Sequence, residues 1–289
     1  MSMGIIKRKK GNKEFYYLQY SYRKNDKVFT KEKYLGKSLP SKKHIEDLKK
    51  ELGKEERDEL HLRLNKIKTN FQKEWKKLPK SIKEKELEQI AITFTYNTNA
   101  IEGSTITLEE TREIIEYHIA PNKPLRDIKE TEAHAKAFFE ILSKEEKITD
   151  HVLLRWHNDI FSGSKPDIAG KYREYLVRVG DYIAPDWQEV NKLMVGLIKF
   201  IQDNKNFNPV EFAARVHYKF ELIHPFGDGN GRIGRLLMNY LLWRSGYPMM
   251  VITYKKRKSY YGAFKKDENY FVKYFIRYYL SVHKKRYLN

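Results

Sequence analysis

The chain has 289 residues and carries 57 Lys and Arg against 38 Asp and Glu, a formal net charge of +19. It has no cysteine, which excludes disulfides, a cysteine nucleophile and thiolate metal sites. No apolar run approaches the roughly 18 residues of a membrane span, and the N-terminus lacks the apolar stretch of a signal peptide. The sequence therefore favours a soluble, cytoplasmic protein, and its excess of positive charge indicates an anionic partner.

The positive charge is concentrated at the two ends of the chain. Residues 1–43 contain 13 basic and 3 acidic side chains, and residues 244–289 contain 12 and 2. Each end therefore has a balance of +10, which leaves −1 for residues 44–243. We divide the chain on this basis into a basic N-terminal appendage, residues 1–43, and a second domain, residues 44–289.

The N-terminal segment from Glu14 to Lys37 is rich in aromatic and β-branched residues around a turn cluster, Lys24-Asn25-Asp26. This pattern predicts a small basic β-hairpin. Its tyrosines alternate with cations, as in surfaces that bind single-stranded nucleic acid: Tyr16, Tyr17, Tyr20 and Tyr22. A solvated hairpin with one half-buried face remains the favoured interpretation.

The rest of the chain shows mainly helical periodicity, which predicts a mainly α fold. Residues 41–85 indicate one or two exposed helices, separated at Pro79. Further helices are predicted after the capping box that begins at Thr107, over residues 130–143 and 149–161, and after the N-cap Asn208. One segment differs, because residues 170–187 alternate in polarity around Gly180-Asp181 and predict a second short hairpin.

The most informative stretch runs from His224 to Arg235 and reads HPFGDGNGRIGR. Pro225 ends the preceding helix and leaves His224 at its terminus, where a histidine can act as a general base near neutral pH. The glycines form a tight loop that leads into the next helix, and such a loop binds anions through its backbone N–H groups.

Three charged side chains extend this anion site. Arg232 and Arg235 are three residues apart on the first turns of the helix, and two guanidinium groups suit a polyphosphate. Asp228 lies in the loop, where one carboxylate can hold Mg²⁺ against phosphate oxygens. A base, a metal carboxylate, an anion loop and two cations within twelve residues indicate nucleotide chemistry.

These twelve residues match the Fic family motif HPF-x-[DE]-G-N-G-R-x-x-R at every specified position, and the chain resembles that family from about residue 85 to its end. The resemblance implies a Fic-type helical bundle and AMP transfer from ATP to a Ser, Thr or Tyr hydroxyl of a protein. It implies that His224 is the base, Asp228 holds Mg²⁺ and Phe226 fixes the loop. Gly231 favours AMP transfer, since the family's Doc-type kinases carry Lys there. The implied nucleotide contacts are Gly227, Gly229, Asn230, Gly231, Arg232, Arg235, Tyr260 and Tyr261, with Asn239 as a weaker candidate.

The segment 170–187 resembles the family's flap, which holds a target segment in extended form by strand addition. The flap residues that we assign are Val179, Gly180, Asp181 and Tyr182. The resemblance implies a protein substrate of unknown identity, auto-AMPylation as a second outcome, and the homodimers that family members often form. After Tyr260 and Tyr261 the chain departs from the family, because Lys265-Lys266-Asp267-Glu268 stands where an Asn often contacts the base.

A second motif lies upstream, where Thr98-Asn99-Ala100-Ile101-Glu102-Gly103 follows a predicted helix. Gly103 indicates the helix end, so Glu102 faces the negative end of the helix dipole and needs a cation nearby. TNAIEG also resembles the family's inhibitory motif, [ST]-x-x-x-E-[GN]. By that resemblance Glu102 pairs with Arg235 and leaves ATP in a non-productive pose, an intramolecular (class II) arrangement.

Two alternatives stay open. Some Fic proteins use the inhibitory glutamate to position water, so Glu102 could take part in removing AMP from a modified protein. A different class is a nucleic-acid-binding module, which rests on the two basic ends and the aromatic hairpin. It could coexist with the enzyme, but the sequence contains no clear recognition helix.

Overall fold

The computed structural model describes residues 2–24, 27–203 and 207–289. Its elements form two compact units, Met1–Arg63 and Leu64–Asn289, with the boundary inside helix α1 (Lys42–Lys77). The charge pattern of the sequence places a boundary after residue 43, whereas the contacts within the structure place it after Arg63.

The first unit contains a three-stranded antiparallel sheet in the order β1-β2-β3, formed by Ser2–Lys10, Lys13–Lys24 and Lys27–Gly36. The predicted hairpin corresponds to β2 and β3; the Asn25 and Asp26 of its turn lie outside the described residues. The sequence did not indicate β1, because the second half of that strand is a run of basic residues without alternating polarity. Of the described side chains in this unit, Leu18, Ile45 and Leu52 form the buried apolar set.

The second unit is helical, in agreement with the predicted mainly α class. Its helices after α1 are α2 (Lys80–Ile101), α3 (Leu108–Glu116), α4 (Leu125–Ser143), α5 (Asp150–Phe161), α6 (Val190–Asp203), α7 (Pro209–Ile223), α8 (Asn230–Arg244), α9 (Arg257–Phe264) and α10 (Glu268–Tyr287). Between α5 and α6 lie the two-residue strands β4 (Arg178–Val179) and β5 (Tyr182–Ile183). Within the described residues, no helix has the length and apolar character needed to cross a membrane.

The helix boundaries follow local rules that the sequence displays. Pro79 separates α1 from α2, and the Thr107 and Glu110 side chains form a reciprocal capping box at the start of α3. The Asn208 side chain accepts a hydrogen bond from the Val210 N–H at 2.9 Å, with proline at the first position of α7. These predicted starts are confirmed.

Helix α8 is the centre of the second unit. It packs against α2, α4, α5 and α7, and every residue from 230 to 242 is buried. A helix that is buried on all sides must find partners for its polar side chains. Asn239 illustrates this, because its amide donates to the Met250 carbonyl at 3.1 Å and accepts from the Met250 N–H at 2.8 Å. The burial of α8 therefore fixes the position of the loop that precedes it.

Candidate active site

His224 ends α7 in a left-handed conformation, with φ 51° and ψ 59°, which is unusual for a residue with a side chain. Its Nδ1 lies 3.3 Å from the Glu221 carbonyl oxygen. Since a carbonyl only accepts, Nδ1 carries the proton and Nε2 keeps its lone pair. Burial lowers the pKa of His224, although the Glu221 carbonyl and the charge of Glu102 act in the opposite direction. The side chain can therefore act as a neutral base at Nε2.

Side chains of the loop after His224 stabilise its conformation. Asn230 accepts from the Phe226 N–H and donates to the Phe226 carbonyl, both at 2.8 Å. The Phe226 ring is fully buried and stacks on His157 with ring centroids 3.9 Å apart. Asn230 was expected to bind phosphate, but its side chain is used in closing the loop, so its N–H is the group that remains for a ligand.

Three glycines between Phe226 and Arg232 are closely surrounded by other side chains. Gly229 is left-handed, with φ 78°, and a Cβ there would overlap the Phe161 ring. A Cβ at Gly231 would overlap the Glu102 carboxylate, which thus lies against the first turn of α8. Gly227 is equally confined, because a Cβ there would overlap the Tyr175 hydroxyl.

His157 supports the loop from α5 and was not singled out in the sequence. Its Nδ1 accepts from the Gly170 N–H at 3.0 Å, so its Nε2 donates to the Asp228 carbonyl, also at 3.0 Å. Burial lowers the pKa of His157 to about 4, which keeps the ring neutral.

Asp228 belongs to a network of alternating charges. Its Oδ2 lies 2.7 Å from Lys165 Nζ, and Lys165 also reaches Glu130 Oε1 at 2.8 Å. Glu130 pairs in turn with Arg232, whose guanidinium lies 4.4 Å from the Phe161 ring centroid. Burial would raise the pKa of Glu130, but Arg232 and Lys165 hold it at about 2.

Arg235 is the second cation of the loop and is 1% exposed. Its Nε donates to Thr98 Oγ1 at 2.7 Å, and its Nη2 donates to Glu102 Oε1 at 2.6 Å. Gly103 follows in a left-handed conformation that ends α2. The structure thus brings Thr98 and Glu102 of the upstream motif onto the second arginine of the downstream motif, while Gly103 ends the helix that carries them.

Three largely buried polar residues close to Arg235, namely His217, Glu221 and Tyr260, form a second cluster. His217 donates to or accepts from the Tyr260 hydroxyl at 2.6 Å, and its Nδ1 is 3.9 Å from Glu221 Oε1. Burial raises the pKa of Glu221 to about 8, which Arg235 opposes only in part. Tyr260 is therefore an internal residue, whereas Tyr261 is 40% exposed and donates to the Ile101 carbonyl at 3.3 Å.

The flap is shorter than the predicted hairpin, since strand pairing covers only residues 178–179 and 182–183. Gly180 forms the turn with φ 59°, and Asp181 follows it. Val179 and Tyr182 are exposed, and the Tyr182 hydroxyl donates to the Leu222 carbonyl at 2.7 Å. The flap base is tied to the loop by Arg173, whose Nε donates to the His224 carbonyl at 2.8 Å.

Several residues that support this site carry no local sequence signal. Arg173, His157, Glu130 and Lys165 come from segments far from residues 224–235, and they reach the site only through long-range contacts. Asn239 and Tyr260, which the resemblance to the family assigns to the nucleotide, use their polar groups in hydrogen bonds inside the fold.

Asp228 fits Mg²⁺ in its donor chemistry. Its side chain is 43% exposed, and Lys165 Nζ already places a cation on its Oδ2. Among the described residues, no three His, Asp or Glu side chains converge as a metal site. A single carboxylate is nevertheless sufficient for Mg²⁺ when phosphate oxygens supply other ligands.

The fold and site together define a helical protein in which a glycine-rich loop joins a helix that ends at His224 to a buried helix that begins at Asn230. Residues 147–242 match the family model described as Fic/DOC family, so the chain contains a Fic domain. That range includes the whole of the loop and most of α8.

The relatives carry the same family name. The chain is 36% identical over 190 residues to Protein adenylyltransferase Fic of Nematostella vectensis, covering 63% of this chain and 44% of that protein. Against Protein adenylyltransferase fic-1 of Caenorhabditis elegans it is 34% identical over 178 residues, covering 59% and 35%. The chain thus spans less than half the length of these curated relatives.

Solved structures agree with the fold. A Fic-1 fragment from C. elegans superposes with a TM-score of 0.69 at 26% identity, covering 83% of this chain and 74% of the fragment. A Fic domain containing signaling protein from Bacteroides thetaiotaomicron superposes with a TM-score of 0.67 at 26% identity, covering 77% and 96%.

Proposed function

We propose that this protein is an adenylyltransferase that moves AMP from ATP to a hydroxyl of a protein target. The observation that carries the proposal is His224, whose Nδ1 is fixed by the Glu221 carbonyl so that Nε2 is available beside an anion-binding loop. The names of the relatives support the same activity.

In the proposed reaction, His224 Nε2 accepts the proton of the target hydroxyl as its oxygen attacks the α-phosphate of ATP. The O–P bond to the target forms, the bond to the β-phosphate oxygen breaks, and pyrophosphate leaves. The N–H groups at the start of α8 and the guanidinium of Arg232 hold the phosphates. Asp228 would hold Mg²⁺, which offsets phosphate charge when it is bound.

The target chain would enter beside the flap. Val179 and Ile183 expose apolar side chains there, and a two-residue strand has unpaired backbone groups that an extended peptide could join. Arg173 links this flap to the His224 carbonyl, so the target and the base would share one support.

We propose further that Glu102 restrains this activity. Its carboxylate lies against Gly231 and takes up Nη2 of Arg235, the side chain that the family motif assigns to phosphate. Phosphate oxygens and a carboxylate compete for the same donor, so ATP can bind productively only when Glu102 moves away.

The test compares wild type with Glu102→Gly using labelled ATP and measures AMP incorporation into the protein itself. We expect the variant to incorporate AMP at least about tenfold faster, because the competing carboxylate is gone. Glu102→Asp, which keeps the charge, and Glu102→Gly/His224→Ala, which lacks the base, are the controls. Equal rates in wild type and Glu102→Gly would reject the restraint but leave the transferase intact.

Removal of AMP is a second candidate, favoured by one observation. The charge of Glu102 acts against the lowering of the pKa of His224 by burial, so the carboxylate lies close enough to the imidazole to influence its protonation. Incubating AMPylated protein with wild type and Glu102→Gly separates the two functions, since a hydrolase that uses Glu102 loses activity in the variant while a restrained transferase gains it.

A further inference from the structure

The two faces of the N-terminal sheet differ. Successive residues of a strand point to opposite faces. Leu18 of β2 is fully buried, and its register partner Lys33 forms an ion pair with Glu51 of α1, with Nζ 3.3 Å from Oε2. The face that contains Leu18 and Lys33 is therefore covered by the start of α1, and the opposite face points away from that helix.

We call this opposite face the open face. Its described side chains include Arg8, Phe15, Tyr17, Gln19, Glu32 and Tyr34. The strand register supports the grouping, because Arg8 pairs with Phe15, Tyr17 with Tyr34, and Gln19 with Glu32.

Three aromatic rings of the open face lie side by side. The Tyr34 ring centroid is 6.3 Å from that of Phe15 and 5.3 Å from that of Tyr17. Tyr34 is 51% exposed, and the Arg8 guanidinium lies 5.4 Å from the Tyr17 ring centroid. This arrangement offers ring surface and a cation to a ligand with flat, stackable groups.

The charge of the segment selects an anionic ligand. Residues 1–43 contain 13 basic and 3 acidic side chains. The two acids within the described residues are already paired, Glu32 with Arg8 at 2.6 Å and Glu14 with Lys7 at 2.6 Å. The third, Asp26, lies outside those residues. The segment as a whole therefore keeps an excess of basic charge that attracts a polyanion, and its described carboxylates compete little with such a ligand.

We propose that the open face binds single-stranded nucleic acid, with bases stacked on Tyr17 and Tyr34 and phosphates attracted by the excess basic charge of residues 1–43. Unpaired bases expose the ring faces that such a platform needs, whereas a duplex keeps them stacked inside. An acidic polypeptide would satisfy the charge but would leave the aromatic rings unused. The proposal does not depend on AMP transfer, because none of these residues belongs to the candidate active site.

The experiment measures binding of a fluorescein-labelled 20-nucleotide single-stranded DNA to the full-length protein by fluorescence anisotropy at several salt concentrations. We expect Tyr17→Ala and Tyr34→Ala each to weaken binding at least about fivefold, and Tyr34→Phe, which keeps the ring, to stay within about twofold of wild type. Tyr117→Ala, which removes another exposed ring, is the matched control and should bind as wild type does. Affinity should fall steeply with salt in all cases.

Competitors identify the ligand class. Unlabelled single-stranded RNA of the same length should displace the DNA, whereas the duplex form should be at least about tenfold weaker. Equal competition by the duplex or by polyglutamate would overturn the proposal, as would unchanged affinity in both alanine variants.

If either alanine variant fails to fold, crosslinking on the wild type decides. A bromouracil-substituted strand should attach to peptides containing Tyr17 or Tyr34, and attachment confined to other peptides would overturn the proposal. His224→Ala, which removes the proposed catalytic base, should bind the strand as wild type does.

Discussion

At the scale of single residues, Lys165 has the most direct influence on the proposed metal carboxylate. Its ammonium lies between Asp228 and Glu130, at 2.7 and 2.8 Å, and is 12% exposed. Burial would raise the pKa of Asp228, but Lys165 and Arg232 lower it overall, so the carboxylate stays ionised. The same ammonium occupies one side of the carboxylate that a divalent cation would use.

We predict that Lys165→Met binds Mn²⁺, a spectroscopic substitute for Mg²⁺, about tenfold more tightly than wild type in the absence of nucleotide, which corresponds to about 1.4 kcal/mol. The reason is that the competing cation has been removed from Asp228. Electron paramagnetic resonance of free Mn²⁺ gives the affinity.

Lys171→Met is the matched control, because Lys171 is exposed and its removal changes the net charge by the same amount. A gain in affinity that is equal in both variants would mean that overall charge, rather than the contact with Asp228, is responsible.

At the scale of elements, the connection between α7 and α8 depends on steric fit. Gly229 precedes α8 in a left-handed conformation and lies against Phe161, which also supports the side chains of Arg232 and Lys165. A side chain at residue 229 would have to displace the Phe161 ring, which contacts both Arg232 and Lys165.

We predict that Gly229→Ala lowers stability by about 1–3 kcal/mol, because it adds both a clash and an unfavourable φ. AMP transfer, tested in the Glu102→Gly background, should fall more than stability alone explains. Thermal unfolding and labelled-ATP incorporation measure the two effects.

Gly163→Ala serves as the comparison, since a Cβ at that position meets no atom within 4 Å and φ is not positive. Comparable losses in both variants would show that the fit around Phe161 is not the cause.

The elements that could be predicted from the sequence are those set by local chemistry. The loop HPFGDGNGR, the capping box at Thr107 and the Asn208-Pro209 helix start depend on neighbouring residues, and the structure contains all of them. Strand β1 was missed because it derives its pairing from β2 rather than from its own pattern. Glu130 and Lys165 were missed for a related reason, since a charge that acts through a distant partner looks like an ordinary surface charge in sequence.

At the scale of the whole molecule, burial has left several histidines uncharged. It lowers the pKa of His134 and His217 to about 3, and that of His157 and His283 to about 4. In the unfolded chain these groups take up protons near pH 6.5. Below that pH the unfolded state therefore binds more protons than the native state, and stability falls.

We predict that the midpoint of thermal unfolding decreases steadily from pH 7 to pH 5, with each of these histidines costing about 1–2 kcal/mol by pH 5. Glu221 acts with the opposite sign, because its raised pKa of about 8 makes the native state bind the extra proton. Four histidines outweigh one carboxyl, so the net slope keeps its direction.

The variant His283→Asn removes one of the four titrating groups and should flatten the slope by about the share of one proton. Calorimetry across this pH range checks both statements. Stability that is constant or that rises towards pH 5 would contradict the assignment of neutral buried histidines.

The ion pair between the buried Arg235 and the partly exposed Glu102 sets the stability of the protein against its proposed activity. The contact joins the end of α2 to the start of α8, so it contributes to holding the fold together as well as restraining the proposed reaction. Any event that separates Glu102 from Arg235 must therefore also remove a contact between α2 and α8. The most stable conformation would be the inactive one in which Glu102 binds Arg235. Each catalytic cycle would have to begin from a less stable conformation.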